Sequence, residues 1–208
     1  TTEMVQEWKE HAGTGRVIDI DDEKMRLTLH IVGETLFGQG STDGDAKSVA
    51  EAVTVVQAGV NKRIYQIFPL PLNIPSPHNL VMRNAIQTLD DVVLGMVRER
   101  RATGAVKHDL LGMLLEAKDE ETGKGMSDGQ LRDEVMTMFL AGHETTSNAL
   151  VWTWHLLSRN PDVQRKLYKE VSAVLGTGPL TLDRLPELKY TRCVLMEAMR
   201  IYPPVWGF

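Results

Sequence analysis

Residues 127–160, SDGQLRDEVMTMFLAGHETTSNALVWTWHLLSRN, are the stretch around which the rest of this chain is organised. Ser127 followed three residues later by Gln130 is the capping-box pattern that begins a helix. Asn160 precedes Pro161, and proline both ends a helix and disfavours helical backbone in the residue before it. The pattern predicts one helix of about 32 residues, which at about 1.5 Å per residue is roughly 48 Å long.

Small side chains occupy the middle of one face of this predicted helix. That face carries, at helical spacing, Glu134, Met138, Ala141, Gly142, Thr145, Ala149, Trp152 and Leu156. The opposite face is also apolar, with Met136, Phe139, Leu150, Trp154 and Leu157. A helix that is apolar on all sides is expected to be buried. We therefore predict a core helix with a shallow notch at Ala141 and Gly142.

Two polar residues, Glu144 and Thr145, follow the notch, where local preferences are broken. The Thr145 hydroxyl can bond back to the Ala141 carbonyl, and a buried Glu144 would need a partner or a proton. Such departures tend to mark functional sites. The alternative is that the small residues let another helix approach closely, with Glu144 in a structural hydrogen bond.

Length, charge and cysteine content limit the class of protein. The 208 residues fit within the size of one domain, and the net charge of −5 argues against a nucleic-acid partner. A single cysteine excludes an intrachain disulfide framework. We see no signal peptide or membrane anchor and expect a cytoplasmic protein. The chain begins at Thr1 without an initiator methionine, so we expect both ends to be cut.

The remaining chain is predicted to be mainly α. Strand signals are nearly absent, and Pro69, Pro71, Pro75 and Pro77 mark an extended loop that could act as a lid. Further helices are predicted at residues 1–12, 21–37, 46–67, 80–101, 109–117, 161–175 and 182–201, the last broken near Pro186.

Three other features carry possible chemistry. A zinc-protease helix would need a second histidine one turn after His143, and that position is Ser147, so we expect no metal site and a packed His143. Cys193 is expected to be a small buried hydrophobe. Glu197 and Arg200 are spaced i, i+3 and can pair on one helix, either at the surface or as a buried pair.

The order of two motifs resembles the cytochrome P-450 family of haem-thiolate monooxygenases. Residues 141–146, AGHETT, lie in the long central helix, and residues 197–200, EAMR, are followed by Tyr202-Pro203-Pro204. The resemblance covers nearly the whole chain, from about helix D to just past helix K, and is to soluble bacterial members. It implies a partial P-450 fold around the long I helix, in a single partial domain, residues 1–208.

The resemblance also implies roles for individual residues. Ala141 and Gly142 would lie against the haem, Thr145 would hydrogen-bond dioxygen and its water, and Glu144 would belong to a proton relay. Glu197 and Arg200 would form a buried structural pair. The substrate pocket would be lined by Met138, Ala141 and Val205. The loop at 69–77 would join the F and G helices that form the access lid.

Parts of the family pattern are not in this sequence. The iron-ligand cysteine is expected downstream of Arg200, and Cys193 precedes the motif and lacks the flanking pattern, so we reject it as the ligand. The N-terminal sheet region and the C-terminal haem-thiolate loop are likewise not part of the sequence. We expect this chain alone to lack the thiolate that favours O–O cleavage.

The implied reaction uses haem iron, O₂ and NAD(P)H to hydroxylate a small apolar molecule. Electrons would come through ferredoxin and its reductase or through a flavoprotein reductase. Neither a nucleic acid nor a membrane is an expected partner. One alternative is a non-catalytic helical module that binds a lipid or a partner helix; another is a truncation product without function.

Overall fold

The structure is a computed structural model that describes residues 2–37, 43–104, 109–176, 178 and 180–205. The described residues are helical apart from turns and loops, and their sole strand-like feature is one bridge between Lys118 and Gly125. The mainly α prediction is confirmed. The helices are α1 (Thr2–His11), α2 (Ile20–Phe37), α3 (Asp43–Ile64), α4 (Pro77–Thr103), α5 (Leu110–Glu116), α6 (Asp128–Arg159), α7 (Pro161–Leu175), a 3₁₀ helix (Leu182–Glu187) and α8 (Lys189–Ile201).

The predicted limits of the central helix α6 are confirmed, and the start has the geometry of a capping box. The Ser127 N–H donates to Gln130 Oε1 at 3.0 Å, and the Gln130 N–H donates to Ser127 Oγ at 3.3 Å. Each residue satisfies a backbone donor of the other. Pro161 then begins α7. Because both ends depend on local sequence, they could be predicted without knowledge of the fold.

The chain divides into two compact units, residues 29–142 and residues 1–28 with 143–208. In the unit of residues 29–142, α3 and α4 pack along each other. A methyl group on Gly59 would come within 2.9 Å of Met82 Sδ, so glycine permits this close approach. The core of this unit consists of Val49, Ala52, Val53, Ala85, Leu89, Val93, Val97, Leu111, Leu114, Leu131, Val135 and Phe139.

The other unit contains α1, the start of α2, the C-terminal half of α6, α7 and α8. Polar rather than apolar side chains supply most of its buried residues, among them Lys24, Thr28, His143, Ser147 and Thr153. Lys24 lies between two indole rings, with its Nζ 4.3 Å from the ring centre of Trp8 and 4.9 Å from that of Trp154. Burial lowers the pKa of Lys24, and the neighbouring Glu23 carboxylate opposes this shift. The two rings offer the ammonium group a cation–π environment in place of water.

The prediction that α6 is buried on all sides is wrong. One stripe at four-residue spacing is buried, namely Leu131, Val135, Phe139, His143 and Ser147. Glu134 and Ala141 are exposed, and Trp152 and Trp154 are 38% and 42% exposed. Within the described residues, the neighbouring helices cover only one side of α6. An apolar pattern on both faces shows that a helix could be buried on both sides. In this chain, other helices pack against only part of that surface.

The proline-rich segment is an ordered loop, as predicted. The buried Asn79 donates from Nδ2 to the carbonyls of Pro71 and Ile74, both at 2.9 Å. Arg63 Nη1 donates to the Leu70 carbonyl at 2.7 Å. These side chains satisfy loop carbonyls that have no helical or sheet partner. Its role as a lid stays a prediction.

Candidate functional site

Ala141 and Gly142 stand at the middle of α6 but have different surroundings. Ala141 is exposed. A methyl group on Gly142 would come within 3.3 Å of Val32 Cγ2 in α2. Glycine at 142 therefore allows a close helix–helix approach, as the alternative interpretation expected. The open small-residue surface lies at Ala141, and the predicted haem contact of Gly142 stays a prediction.

His143, the next residue, is a buried part of the helix packing, as predicted. Its side chain is 4% exposed, and Nε2 lies 3.1 Å from the Met25 carbonyl oxygen. Since a carbonyl only accepts, this contact assigns the ring proton to Nε2. Burial lowers the pKa of His143 from 6.5, while the Met25 carbonyl and Glu144 oppose the shift. His143 is thus a neutral tether adjoining the predicted catalytic residues.

Glu144 and Thr145 follow immediately and are both half-buried. They lie within one turn of the exposed Ala141, so a carboxyl, a hydroxyl and an open apolar surface share one short segment of α6. In the described part of the chain, no group of three or more His, Cys, Asp or Glu could hold a metal ion. The segment thus places a carboxyl and a hydroxyl, groups that can hold a proton, beside an open apolar surface.

Met138 and Val205 are the other residues predicted to line a substrate pocket. Met138 is partly buried and packs against the core of residues 29–142. Val205 follows the end of α8 and is 49% exposed. The predicted contact of Met138, Ala141 and Val205 with a substrate stays a prediction.

Glu197 and Arg200 pair in α8 but are not buried in this chain. Two hydrogen bonds of 2.7 Å join Arg200 Nε and Nη2 to the two carboxylate oxygens. The side chains are 56% and 69% exposed, so within this chain the pair lies at the surface, and its burial in the intact protein stays a prediction. The hydrogen bonds from Arg200 lower the pKa of Glu197. The only buried residue of α8, Ala198, lies between them in sequence, so the pair extends away from the packed side of the helix.

The prediction that Cys193 is buried is wrong. Its side chain is exposed and lines a mostly apolar groove of about 350 Å³ with residues of α6, α7 and α8. The groove-lining residues are Thr153, Leu156, Leu157, Asn160, Val163, Tyr190, Cys193, Val194, Glu197, Ala198 and Ile201.

Sequence reasoning missed the residue that holds the start of α8. Glu170 in α7 accepts the N–H groups of Tyr190 and Thr191 at 2.6 and 2.8 Å, and also the Thr191 hydroxyl at 2.8 Å. Partial burial alone would raise the pKa of Glu170, but these hydrogen bonds outweigh it and lower the pKa. The cap comes from twenty residues upstream, so no local capping pattern could reveal it.

The comparison with known proteins decides the family. The cytochrome P450 family model matches residues 1–207. This chain belongs to the cytochrome P450 family. It is 36% identical over 192 residues to cyclooctat-9-en-7-ol 5-monooxygenase of Streptomyces melanosporofaciens, covering 92% of this chain and 42% of that protein. It is also 36% identical over 194 residues to pentalenene oxygenase of Streptomyces avermitilis, covering 93% and 43%.

A solved cytochrome P450 has a similar fold. The crystal structure of the cytochrome P450DA heme domain matches with a TM-score of 0.82 at 28% identity, covering 95% of this chain and 43% of that one. The chain thus spans less than half the length of these P450 relatives, and the prediction of a partial P450 fold is confirmed. No helix in the described residues is both long and apolar enough to cross a membrane.

Proposed function

We propose that the protein containing this P450 chain is a haem-dependent monooxygenase that inserts one oxygen atom of O₂ into a small apolar molecule. The main support for this proposal is the placement of three neighbouring residues of α6. Glu144 and Thr145 lie half-buried within one turn of the exposed Ala141, on a helix that otherwise buries a continuous stripe. Family membership supports the reaction class, and two of the Streptomyces relatives are named as oxygenases.

The residues present fit one side of a haem. Ala141 is exposed and small, so it offers a flat surface against which a porphyrin can lie, while Gly142 keeps α6 close to Val32. When bound, haem would supply the iron at which dioxygen is reduced. Cys193 lies in α8 with Glu197 and Tyr190 in the apolar groove, and we assign it no role as ligand.

The chain's own residues would manage protons and substrate position. The Thr145 hydroxyl both donates and accepts a hydrogen bond, so it can hold a water and pass a proton. The Glu144 carboxyl would resupply that proton as a general acid. Met138, Ala141 and Val205 would contact the apolar substrate. In this proposal, Glu144 and Thr145 transfer protons, while the other three residues form an apolar surface for the substrate.

Electrons would come from NAD(P)H through a redox partner. The chain is 28% identical to a bifunctional cytochrome P450/NADPH–P450 reductase of Bacillus cereus, with 99% of this chain and 20% of that protein covered. This favours a flavoprotein reductase as one donor, with ferredoxin and its reductase as the other. A cytoplasmic location stays a prediction.

The test is the spectrum of the intact protein reduced under carbon monoxide. A thiolate-ligated ferrous haem gives a red-shifted Soret band, since the thiolate donates electron density to the iron. We expect this band together with substrate-dependent NAD(P)H consumption. A folded protein that takes up no haem would contradict the proposal and favour the alternative, a non-catalytic module for a lipid or a partner helix.

Thr145→Ala provides a second test, at the level of the mechanism. We expect oxygen consumption to continue while product per O₂ consumed falls by at least about tenfold, since a positioned proton donor contributes about 10²–10⁴-fold. Thr146→Ala is the matched control, because Thr146 is the adjacent, exposed threonine of the same helix. Unchanged coupling in Thr145→Ala, measured as product against O₂ and peroxide, would remove Thr145 from the proton relay.

A further inference from the structure

An aromatic stack joins the C-terminal half of α6 to the turn that follows α8. The rings of Trp152 and Tyr202 are 4.2 Å apart between centres and inclined by only 15°. His155 meets both rings edge-on, at 5.6 Å from Trp152 and 6.3 Å from Tyr202. The three rings all lie in the unit that contains α8. Stacked and edge-on contacts are the favoured geometries of aromatic groups, so they hold one relative orientation.

Tyr202 is fixed through its backbone as well as its ring. Its N–H donates to the carbonyl of Ala198 at 2.8 Å and so caps the end of α8. Ala198 is itself 3% exposed and anchors that end of the helix. The stack therefore joins two rigid elements through a residue that has little freedom of its own.

The stack lies on the same side of α6 as the proposed proton-handling hydroxyl. Trp152 follows Thr145 by seven residues, which in a helix is a rotation of about 20° from the same face and a rise of about 10.5 Å. Trp152 thus stands about two turns beyond Thr145 on one face. The ring of Tyr202, which stacks on Trp152, therefore meets the same face of α6 that carries Thr145.

The segment after Tyr202 is short and stiff. Pro203 and Pro204 fix two backbone angles, so the position of Tyr202 is transmitted to Val205. The backbone bends at Pro204 and Val205, so Val205 follows the anchored ring of Tyr202 within three residues.

We propose that Trp152 is a positioning residue for substrate orientation: by stacking on Tyr202 it sets the position of Val205 relative to the Thr145 face of α6. This inference rests on the proposed function, in which Val205 contacts the substrate. The stack would then determine which carbon of an apolar substrate faces the site of oxygen transfer, with no contact between Trp152 and the substrate itself.

The structural half of the proposal is tested by a distance measurement in the intact protein. Spin labels are placed at Thr146→Cys, on the exposed side of α6, and at Val205→Cys, in a Cys193→Ser background that removes the exposed native thiol. We expect a narrow distance distribution in the parent and in Trp152→Phe, which keeps a stacking ring, and a broader or displaced one in Trp152→Leu. An unchanged distribution in Trp152→Leu would overturn the proposal.

Trp154→Leu is the matched control. Trp154 is the same residue type on the same helix and is 42% exposed against 38% for Trp152, but its ring meets Trp8 edge-on at 5.6 Å. A general loosening of α6 would broaden the distribution in both leucine variants, and that result would overturn the assignment to the stack.

The functional half is tested by the ratio of product regioisomers in the reconstituted enzyme. We expect Trp152→Leu to change the ratio by about two- to tenfold, because the free energy of one aromatic pair changes an equilibrium constant by about that factor. Trp152→Phe, which keeps a stacking ring, should keep the parent ratio. Trp154→Leu should leave the ratio as in the parent. An unchanged ratio in a Trp152→Leu enzyme with an altered distance would overturn the role in substrate orientation. The distance measurement needs no reaction, so it stays informative if the carbon monoxide spectrum contradicts the monooxygenase proposal.

Discussion

At the residue scale, Gly142 shows how one small residue can serve the packing of the chain itself. Replacing glycine by alanine inside a helix gains about 1 kcal/mol from helix propensity. Here the added methyl would lie 3.3 Å from Val32 Cγ2, and overpacking costs about 1–3 kcal/mol. We expect Gly142→Ala to lower the free energy of unfolding by about 0–2 kcal/mol, measured by urea unfolding.

Gly95→Ala is the control for this prediction. Gly95 lies inside α4 and has open space where its side chain would be, so alanine there should stabilise by about 0.5–1 kcal/mol. Val32→Ala should relieve part of the cost of Gly142→Ala. Equal stabilisation by the two alanine substitutions would show that Val32 does not restrict position 142.

Also at the residue scale, the burial of His143 makes the stability of the fold depend on pH. Its folded-state pKa is lowered from 6.5 by burial, so below that pH the unfolded chain binds a proton that the folded chain resists. The contribution of His143 is fully present above about pH 6.5 and is lost as the pH falls through the lowered folded-state pKa. We expect the parent to lose more stability than His143→Gln between about pH 7.5 and about pH 5.5.

His30→Gln is the control for the pH experiment, because the His30 side chain is 57% exposed. Urea unfolding at each pH gives the stability difference between each variant and the parent. A parent and a His143→Gln variant with parallel stability profiles would show that His143 does not titrate differently on folding.

At the element scale, α4 and α5 are joined by a buried ion pair that local sequence did not reveal. Arg100 Nη1 and Nη2 donate to the two Asp109 oxygens at 2.9 and 2.8 Å, with side chains 9% and 5% exposed. Asp109 also caps α5 by accepting the Gly112 N–H at 2.8 Å. Removing one member of a buried pair costs about 3–5 kcal/mol, so we expect Asp109→Ala to destabilise by about that amount.

Glu7→Ala is the matched control, because Glu7 and Arg26 form an ion pair of 2.7 Å with side chains 50% and 59% exposed. Solvent screening limits such a pair to about 0–1 kcal/mol. Thermal or urea unfolding of the two variants measures the stability lost when a buried and an exposed ion pair of similar length are each broken. A loss in Asp109→Ala as small as in Glu7→Ala would refute the dominant role of burial.

At the scale of the whole molecule, the exposure of Glu197 and Arg200 distinguishes a role in the stability of this chain from a role in retaining haem. Within this chain the pair is open to water, which screens its contribution to stability. This chain matches less than half the length of its P450 relatives. We propose that the pair is covered in the intact protein and helps to retain haem. We expect Glu197→Gln to lower the haem content of the purified intact protein.

Glu187→Gln is the control, since Arg184 and Glu187 form another exposed i, i+3 pair, at 3.8 Å. Haem content per polypeptide, measured after purification, should stay at the parent value in this variant. Equal haem content in Glu197→Gln and the parent would show that the pair is peripheral.

The sequence by itself determined the features that depend on neighbours along the chain. The capping box at Ser127 and Gln130, the stop before Pro161 and the i, i+3 pairing of Glu197 with Arg200 need only a few adjacent residues, and all three are present. The two motifs that resembled the P450 family are likewise read directly from residue order, and the family is confirmed.

Only the tertiary structure decided which face of each helix is covered. Helical periodicity gives the direction of a side chain but not the identity of what lies opposite, because that partner is distant in sequence. Val32 against Gly142, Glu170 at the start of α8 and Tyr202 on Trp152 are all such contacts. The exposure of Ala141, Cys193 and the Glu197–Arg200 pair follows from the same cause, since burial depends on the elements that reach a surface and not on the residues that form it.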